Sequence, residues 1–436
     1  MISSFKEHIE SNFPFLFDGR SIIAVSGGVD SVVLTYLCKE IGLDIALAHC
    51  NFKLRGKASD EDQQFVEALG LKFNVEVFVQ EFDTEAYAKL EKLSMQMAAR
   101  ELRYTWFEEL CTQLHFDYLL TAHHADDNFE TFLINVIRGS GIDGLNGIPA
   151  INDNIVRPLL PFSRTEIMSW AESSKINWRE DQSNASTKYL RNKLRHEVIP
   201  ILKSMNPQLL EGFASTTSHL REAQQIISDR IDEISDQVLE VTPNAIFIDI
   251  YKIKELNNTK AYLYFLLKDY GFSEWNDVNN LLDAQSGAQI YSQNWRLIKD
   301  REHLILTKQK ETFEELKVTE ELSTIELNNG TLLINKVSSL DDVVISANII
   351  YVDGNKVSFP LSLRKWKEGD WFYPLGMQGK KKVSKYFKDE KFSLIDKEET
   401  WLLCSGEDIV WVVNHRADDR FKVTNNTSSV LQFMFK

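Results

Sequence analysis

Ser21-Ile-Ile-Ala-Val-Ser26-Gly27-Gly28-Val29-Asp30-Ser31-Val-Val-Leu is the stretch whose reading decides the fold of the first half of the chain. An apolar, β-branched run ends in two adjacent glycines, and Asp30 and Ser31 then open an amphipathic helical pattern. Glycines between a buried strand and a helix let the backbone bend sharply and bring its N–H groups close to a ligand. The helix N-terminus adds unpaired donors and a partial positive charge, so the turn suits an anion, above all a phosphate. No Gly-Lys-Ser/Thr follows, which excludes a Walker loop, and the glycines are not spaced as in a dinucleotide fingerprint. A simple strand-to-helix connection is the plainer alternative for these six residues taken alone.

Outward from this loop, apolar strands alternate with helical patterns. Residues 43–49 predict a second strand, 73–79 a third and 118–122 a fourth, with helices over 29–40, from near Ser59, and over 84–114. That alternation predicts an α/β domain, a doubly wound, Rossmann-like parallel sheet with helices on both faces. Ligands of such sheets bind at the carboxyl ends of the strands, near a topological switch point. Three strands deliver polar residues there: Ser26; then His49, Asn51 and Arg55; then His123, His124, Asp126 and Asp127. His49 read alone fits a satisfied strand-end histidine, and Arg55 a solvated loop charge. Arg100 and Arg103 share a helical face at i, i+3, while Asp127 and Glu130 (i, i+3) and Asp126 and Glu130 (i, i+4) pair carboxylates on another. Two such carboxylates can hold Mg²⁺ or clamp an ammonium group. A di-metal hydrolase is disfavoured because its His-x-His-x-Asp-His order is absent.

Composition bounds the alternatives. The chain has 436 residues, too many for one ordinary core, so two or three domains are expected. Hydrophobic residues make up 43% and charged residues 26%, the balance of a globular protein. No apolar run approaches the ~18 residues of a membrane span, and residues 1–12 lack a signal-peptide core. Cys38, Cys50, Cys111 and Cys404 form no Cys-x-x-Cys pair, which argues against zinc, iron–sulfur and disulfide frameworks and fits a cytoplasmic protein. The net charge of −15 speaks against nucleic-acid binding unless a local basic surface offsets it.

Residues 364–391 supply that surface. They hold nine Lys/Arg against four Asp/Glu, interleaved with Trp366, Trp371, Phe372, Tyr373, Tyr386 and Phe387. A solvated face is the bland reading; the pattern favours contact with a phosphate backbone and base stacking. Between the two ends, residues 206–240 read as a polar helix and 245–250 as a strand. Residues 261–271 read as a helix stopped by glycine, and 289–307 as hairpin strands. Short alternating strands such as 331–335 and 349–352 follow the acidic stretch 311–321.

The series of motifs resembles one family, the tRNA(Ile)-lysidine synthetases, a branch of the pyrophosphate-loop ATP pyrophosphatases. The matching stretches run in order: Ser26 to Ser31; His49-Cys-Asn51-Phe-Lys-Leu-Arg55; Ala99-Arg100-Glu-Leu-Arg103-Tyr104; Ala122-His123-His124-Ala-Asp126-Asp127-Asn-Phe-Glu130-Thr131; Arg138-Gly-Ser-Gly; Arg157-Pro-Leu-Leu; Glu180-Asp-Gln-Ser-Asn184; and Arg191-Asn-Lys-Leu-Arg195. Residues 376–387 resemble the family's C-terminal domain. Two positions depart from the pattern: Phe52, where His is more usual, and Asn128, where Gln is common.

The resemblance implies a three-domain enzyme: a catalytic domain over 1–205, a mainly helical α+β tRNA-binding domain over 206–312, and a small β-rich tRNA-binding domain over 313–436, recognisable over 359–431. It implies adenylation of O2 of the wobble cytidine in a CAU-anticodon tRNA(Ile), then attack by free lysine. Ser26, Gly27, Gly28, Val29, Asp30 and Ser31 would cradle ATP, with His49, Asn51 and Arg55 beside them, and Asp30 would hold Mg²⁺. Asp126, Asp127 and Glu130 would recognise lysine or take its proton, the resemblance not dividing those roles among them. Arg100, Arg103 and Arg195 would steady anionic intermediates. A homodimer is compatible with the family. A tRNA-thiolating relative would need sulfur-carrying cysteines, which the scattered four do not supply. A non-catalytic RNA-binding protein would bind ATP without releasing pyrophosphate.

Overall fold

The strand Arg20–Ala24 (β1) is central in a six-stranded sheet because every residue after Arg20 is apolar or small and Ile22 and Ile23 are fully buried. The protein is described here from a computed structural model, which describes residues 1–179, 190–309, 315–320, 324–337 and 346–436. The expected Glu180–Asn184 motif lies outside these residues, as does part of the acidic stretch 311–321. Two units form, Met1–Asp229 and Arg230–Lys436.

In the first unit, α1 (Ile2–Asn12) precedes β1, and α2 (Val29–Glu40), β2 (Asp44–Asn51), α3 (Lys57–Phe73) and β3 (Val77–Glu81) follow. Next come α4 (Thr84–Leu90), α5 (Met95–Leu114), β4 (Tyr118–Leu120) and α6 (Ala125–Ile137). The turn helix α7 (Ile142–Leu145), the hairpin β5 (Ile151–Asn152) and β6 (Ile155–Val156), and α8 (Arg164–Ser173) complete the sheet layer. The strand order is β3-β2-β1-β4-β6-β5, parallel except for the final hairpin. The chain winds outward from β1 to β3 and then returns to β1's other side with β4. The switch point therefore lies between the carboxyl ends of β1 and β4. Residues of α1, α2, α3 and α8 fill one face of the sheet, and Phe107, Leu110 and Cys111 of α5 fill the other. The doubly wound expectation holds.

Local signals moved several boundaries. The third strand starts later than 73–79 predicts, because α3 runs to Phe73 and stops on Asn74 in the left-handed region (φ 51°). The helical stretch 84–114 is two helices, broken where Lys92 takes φ 56° and Ser94 caps the second by accepting Met97 N–H. Residues 157–162 form turns: Leu160 N–H donates to Arg157 O and Phe162 N–H to Leu159 O. Pro158 presets such a turn through its fixed φ.

The glycine-rich loop after α6 is constrained. Asn128, buried on α6, accepts Ile148 N–H at 2.6 Å, and Asn135 donates to Gly144 O at 2.7 Å. Gly147 has φ +72°, and a Cβ there would stand 2.2 Å from Asn128 Oδ1. Gly147→Ala therefore meets a backbone penalty and displaces a buried acceptor. A loss of about 2–4 kcal/mol is expected, read as a lower urea midpoint for the first unit's unfolding.

Beyond the sheet come α9 (Leu190–Lys193), α10 (Ile199–Met205) and α11 (Leu209–Val238), with a π-helical turn, Leu194–Val198, between α9 and α10. In the second unit a five-stranded sheet, ordered Leu239–Val241, Ile246–Asp249, His303–Lys308, Trp295–Lys299, Gln289–Tyr291, packs on helix Thr259–Leu267. Two further antiparallel sheets, of five and four strands, enclose Trp411, Phe433 and Leu403. The buried Arg296 guanidinium forms paired bonds of 3.0 and 2.5 Å to Glu398, tying the first sheet to helix Leu394–Glu399. All four cysteines are free thiols, and no described helix is long and apolar enough to cross a membrane.

Candidate active site

The loop after β1 is self-supporting. Ser31 Oγ lies 3.0 Å from Gly28 O, 3.2 Å from Ser26 N and 3.3 Å from Ser26 Oγ, while Gly28 N–H points at Ser26 Oγ, 3.3 Å away. Gly27 takes φ +89°, which only glycine adopts without strain. Gly28 caps α2 without a side-chain bond, so the first turn, with buried Val29, keeps its N–H groups for an outside acceptor.

β4 delivers the second half of the site. His124 caps α6 and is 1% exposed, with its Nε2 3.3 Å from Asp127 Oδ2 and 3.8 Å from Asp30 Oδ2. Both His124 Nε2 and Asp30 Oδ1 are buried without a hydrogen-bond partner. With the two side chains 3.8 Å apart, these atoms leave bonding capacity open to a ligand beside the loop's helix. Burial raises the Asp30 carboxyl above its ordinary value, against the pull of His124 and Arg164. Burial would raise Asp127 too, but His124 and Arg195 outweigh it and hold that carboxyl below the usual range.

The carboxylates of α6 carry partners from far along the chain. Glu130, 1% exposed, accepts Arg191 Nε at 2.9 Å and Arg195 Nε and Nη2 at 2.5 and 3.0 Å. Arg195 Nη2 also reaches Asp127 Oδ1 at 2.8 Å. Asp126 faces elsewhere: it accepts Arg164 N–H at 2.8 Å and pairs with Lys203. Desolvation at Asp126 is outweighed by these two donors, and its carboxyl is held low. The i, i+3 pair Asp127/Glu130 thus converges on one guanidinium, whereas the i, i+4 pair Asp126/Glu130 does not. The π-helical turn and the i, i+4 spacing bring both Arg191 and Arg195 to one carboxylate, as such turns often do at functional sites.

The two arginines of α5 separate. Arg100 stacks on Tyr104 (4.8 Å) and lies among the charges around His123, with Arg157 and Arg191. Arg103 stacks on Phe52 (5.2 Å), whose ring stacks in turn on Phe82. His123 bonds Thr121 Oγ1 at 2.9 Å; burial pulls its imidazole down to about 4, so it is neutral at physiological pH.

The residues after β2 are turned inward. His49, 4% exposed, holds Val25 O at 2.8 Å, just ahead of the loop, and burial lowers its pKa. Asn51 donates to Asp60 and Gln63 and accepts Lys53 N–H, and Arg55 donates to Asp62 at 2.7 Å. Sequence reasoning missed Arg164, Arg179 and Lys203. Arg164 alone had a local signal, as the first residue of a helix opened by the capping box Ser163/Glu166.

The basic segment of the second unit is less aromatic at its surface than its sequence suggests. Phe372, Tyr386 and Phe387 are core, and Trp366 packs on Phe387. Trp371 is exposed (38%), with Lys380 Nζ and Arg420 Cζ 4.9 and 5.2 Å from its ring centroid.

The anion-receptive loop at the switch point puts the first unit in the class of PP-loop domains, and the family model of that description matches residues 2–202. Models described as the TilS substrate binding domain and the TilS substrate C-terminal domain match residues 241–310 and 361–433. Over 99% of both chains, the sequence is 40% identical to a tRNA(Ile)-lysidine synthase of Parabacteroides distasonis. It is 37% identical to one of Bacteroides thetaiotaomicron over 97% of both. The chain belongs to the tRNA(Ile)-lysidine synthase family. Among solved structures it is similar to the U34-tRNA thiolase NcsA from Methanococcus maripaludis, at a TM-score of 0.42 and 18% identity, covering 51% of this chain and 80% of that one.

Proposed function

We propose that this protein is the ATP-dependent ligase that joins lysine to C2 of the wobble cytidine of a CAU-anticodon tRNA(Ile), forming lysidine. Family membership over nearly the full chain supports the overall reaction. The observation that carries the assignment of the site is the pair of unpartnered buried atoms, Asp30 Oδ1 on the helix that the glycine loop opens and His124 Nε2 beside that carboxylate.

In the first step the cytidine O2 attacks the α-phosphorus of ATP, and the bond to the β-phosphate oxygen breaks as pyrophosphate leaves. The loop N–H groups of residues 26–31 hold the phosphates, with His49, Asn51 and Arg55 shaping the wall beside them. Mg²⁺ suits this donor set: Asp30 and Asp127 offer carboxylate oxygens and the phosphates the rest, the pattern that ion takes with nucleotides. When bound there it would neutralise charge on the departing pyrophosphate. In the second step the neutral ε-amine of lysine attacks C2. The C2–O bond breaks, and AMP departs carrying the former O2. The amine's proton passes to a carboxylate of the acidic group on α6, Asp126 or Asp127, since both Glu130 oxygens are taken by arginines.

Asp126 and Asp127, held ionised, suit recognition of a cationic lysine. Glu130 acts through the arginines it orients, and Arg195, Arg100 and Arg103 meet negative charge developing on the adenylate. The division 1–205, 206–312 and 313–436 assigns chemistry to the first part and RNA binding to the others, where the lysines of 380–391 meet phosphates. Codon reading thereby shifts from AUG to AUA.

The test mixes protein, Mg-ATP, labelled lysine and transcripts of the isoleucine and methionine tRNAs that share the CAU anticodon. Label is expected on the isoleucine transcript, with one AMP and one pyrophosphate per lysine. No transfer, or equal transfer to the methionine transcript, overturns the reading.

A further inference from the structure

We infer that Arg179, tied to Asp62, is a positioning residue that sets which way the Gly27–Gly28 peptide faces and so tunes affinity for ATP. The inference rests on the reading of residues 26–31 as the nucleotide loop. After α8 the chain returns as a strap over that loop, with Ile176 buried and Trp178 packed on the core. At its end, Arg179 N–H donates to Gly27 O at 2.9 Å. The carbonyl and N–H of one trans peptide point in opposite directions. A Gly27 carbonyl held by the strap therefore aims Gly28 N–H the other way, into the loop, where Ser26 Oγ lies 3.3 Å off.

That orientation needs an external hold. Two adjacent glycines have little intrinsic preference between peptide orientations. Gly27 already sits at φ +89°, with Arg179 Cβ and Cγ 3.7 Å from where its own Cβ would be. The strap is anchored by its side chain: Arg179 Nε meets Asp62 Oδ1 at 3.1 Å and Nη2 meets Glu61 Oε2 at 2.6 Å. Asp62 is buried on α3, and its second oxygen takes Arg55 Nη2 at 2.7 Å. One carboxylate thus links the β2–α3 turn to the strap that holds the glycine loop.

Apparent affinity falls in proportion to the fraction of protein whose loop is competent. If losing the anchor leaves a tenth of the molecules with the N–H aimed inward, ATP affinity drops about tenfold. Arg179→Ala is therefore expected to raise both the Mg-ATP Kd, measured without RNA, and the KM for ATP about tenfold. The kcat at saturating ATP and the KM for lysine should stay within about threefold. Arg179→Lys, which keeps a cation for Asp62 without the fork, should fall between. Unchanged ATP Kd in Arg179→Ala overturns the inference. So does a uniform loss of kcat and of affinity for every substrate together with a lower Tm, the signature of a general structural defect. If the wild-type protein binds Mg-ATP but transfers no lysine, the proposed reaction fails while the Kd comparison still decides the inference.

Discussion

Asp30→Asn is expected to abolish pyrophosphate release while making the ligand-free protein more stable. The two effects share one cause. Burial raises the Asp30 carboxyl even though His124, Arg164 and Arg195 all favour its charge. A carboxyl whose folded pKa lies above its unfolded value weakens the fold wherever it is ionised, and that penalty is relieved as pH falls through the folded value. Asparagine keeps the shape and discards the charge. At pH 7 the variant's first-unit Tm should exceed wild type by about 2–4 °C for each kcal/mol relieved. The gap should close on acidification, where the wild-type carboxyl is itself neutral. Adenylation, by contrast, should fall about 10³-fold or more, because the carboxylate proposed to hold Mg²⁺ against the leaving pyrophosphate is gone. Pyrophosphate release and calorimetry on the same preparation check both halves; a variant that retains wild-type turnover removes Asp30 from the reaction. The neighbouring Asp127 supplies the opposite sign. Its folded carboxyl is depressed, so its charge stabilises the protein above the ordinary pKa and that stability is lost as pH falls through the folded value.

What could be read from residues alone follows the range of the forces involved. The β1 strand, its glycines and the α2 start are local, because strand burial, a sharp turn and a helix opening each leave a pattern within a few positions. The switch point could be placed too, since alternating strands and helices restrict the topology. Partners were not legible. Nothing within ten residues of Glu130 says that Arg191 and Arg195, more than sixty positions away, will saturate it, or that Lys203 will take Asp126. Lys203 sits in Ile-Pro-Ile-Leu-Lys-Ser-Met, which shows only a short apolar helix. Phe372 and Phe387 misled for a related reason. Interleaved with lysines they look like a stacking surface, but a strand and a helix turn them inward and leave Trp371 outside. Asn128 departs from the family pattern, yet its function, holding Ile148 N–H beside Gly147, is visible only in three dimensions.

Glu130→Gln should cost stability and activity together, and a compensated variant should separate them. The wild-type carboxylate is almost wholly buried and takes three charge-assisted bonds from two guanidiniums. Breaking a buried pair by removing one partner costs ~3–5 kcal/mol, because the remaining charge stays desolvated. Arg191 is 43% exposed and Arg195 23%, so solvent returns part of that. About 2–4 kcal/mol is left, or a fall of roughly 5–12 °C in the first unit's Tm. Activity should drop about 10²-fold or more, since Arg195 loses the carboxylate that aims it beside Asp127. Stability lost alone would make Glu130 a purely structural anchor. The triple variant Glu130→Met, Arg191→Met, Arg195→Leu removes Glu130 and both guanidiniums together and leaves the Asp127 carboxylate to His124. Replacing a buried ionic cluster with apolar side chains of similar volume is often neutral or stabilising. Its Tm should return to within a few degrees of wild type while lysine transfer stays lost. Recovery of transfer in that variant would show that the arginines serve the fold alone. Continued loss beside restored stability assigns them to the chemistry, with Glu130 as the group that holds them in place.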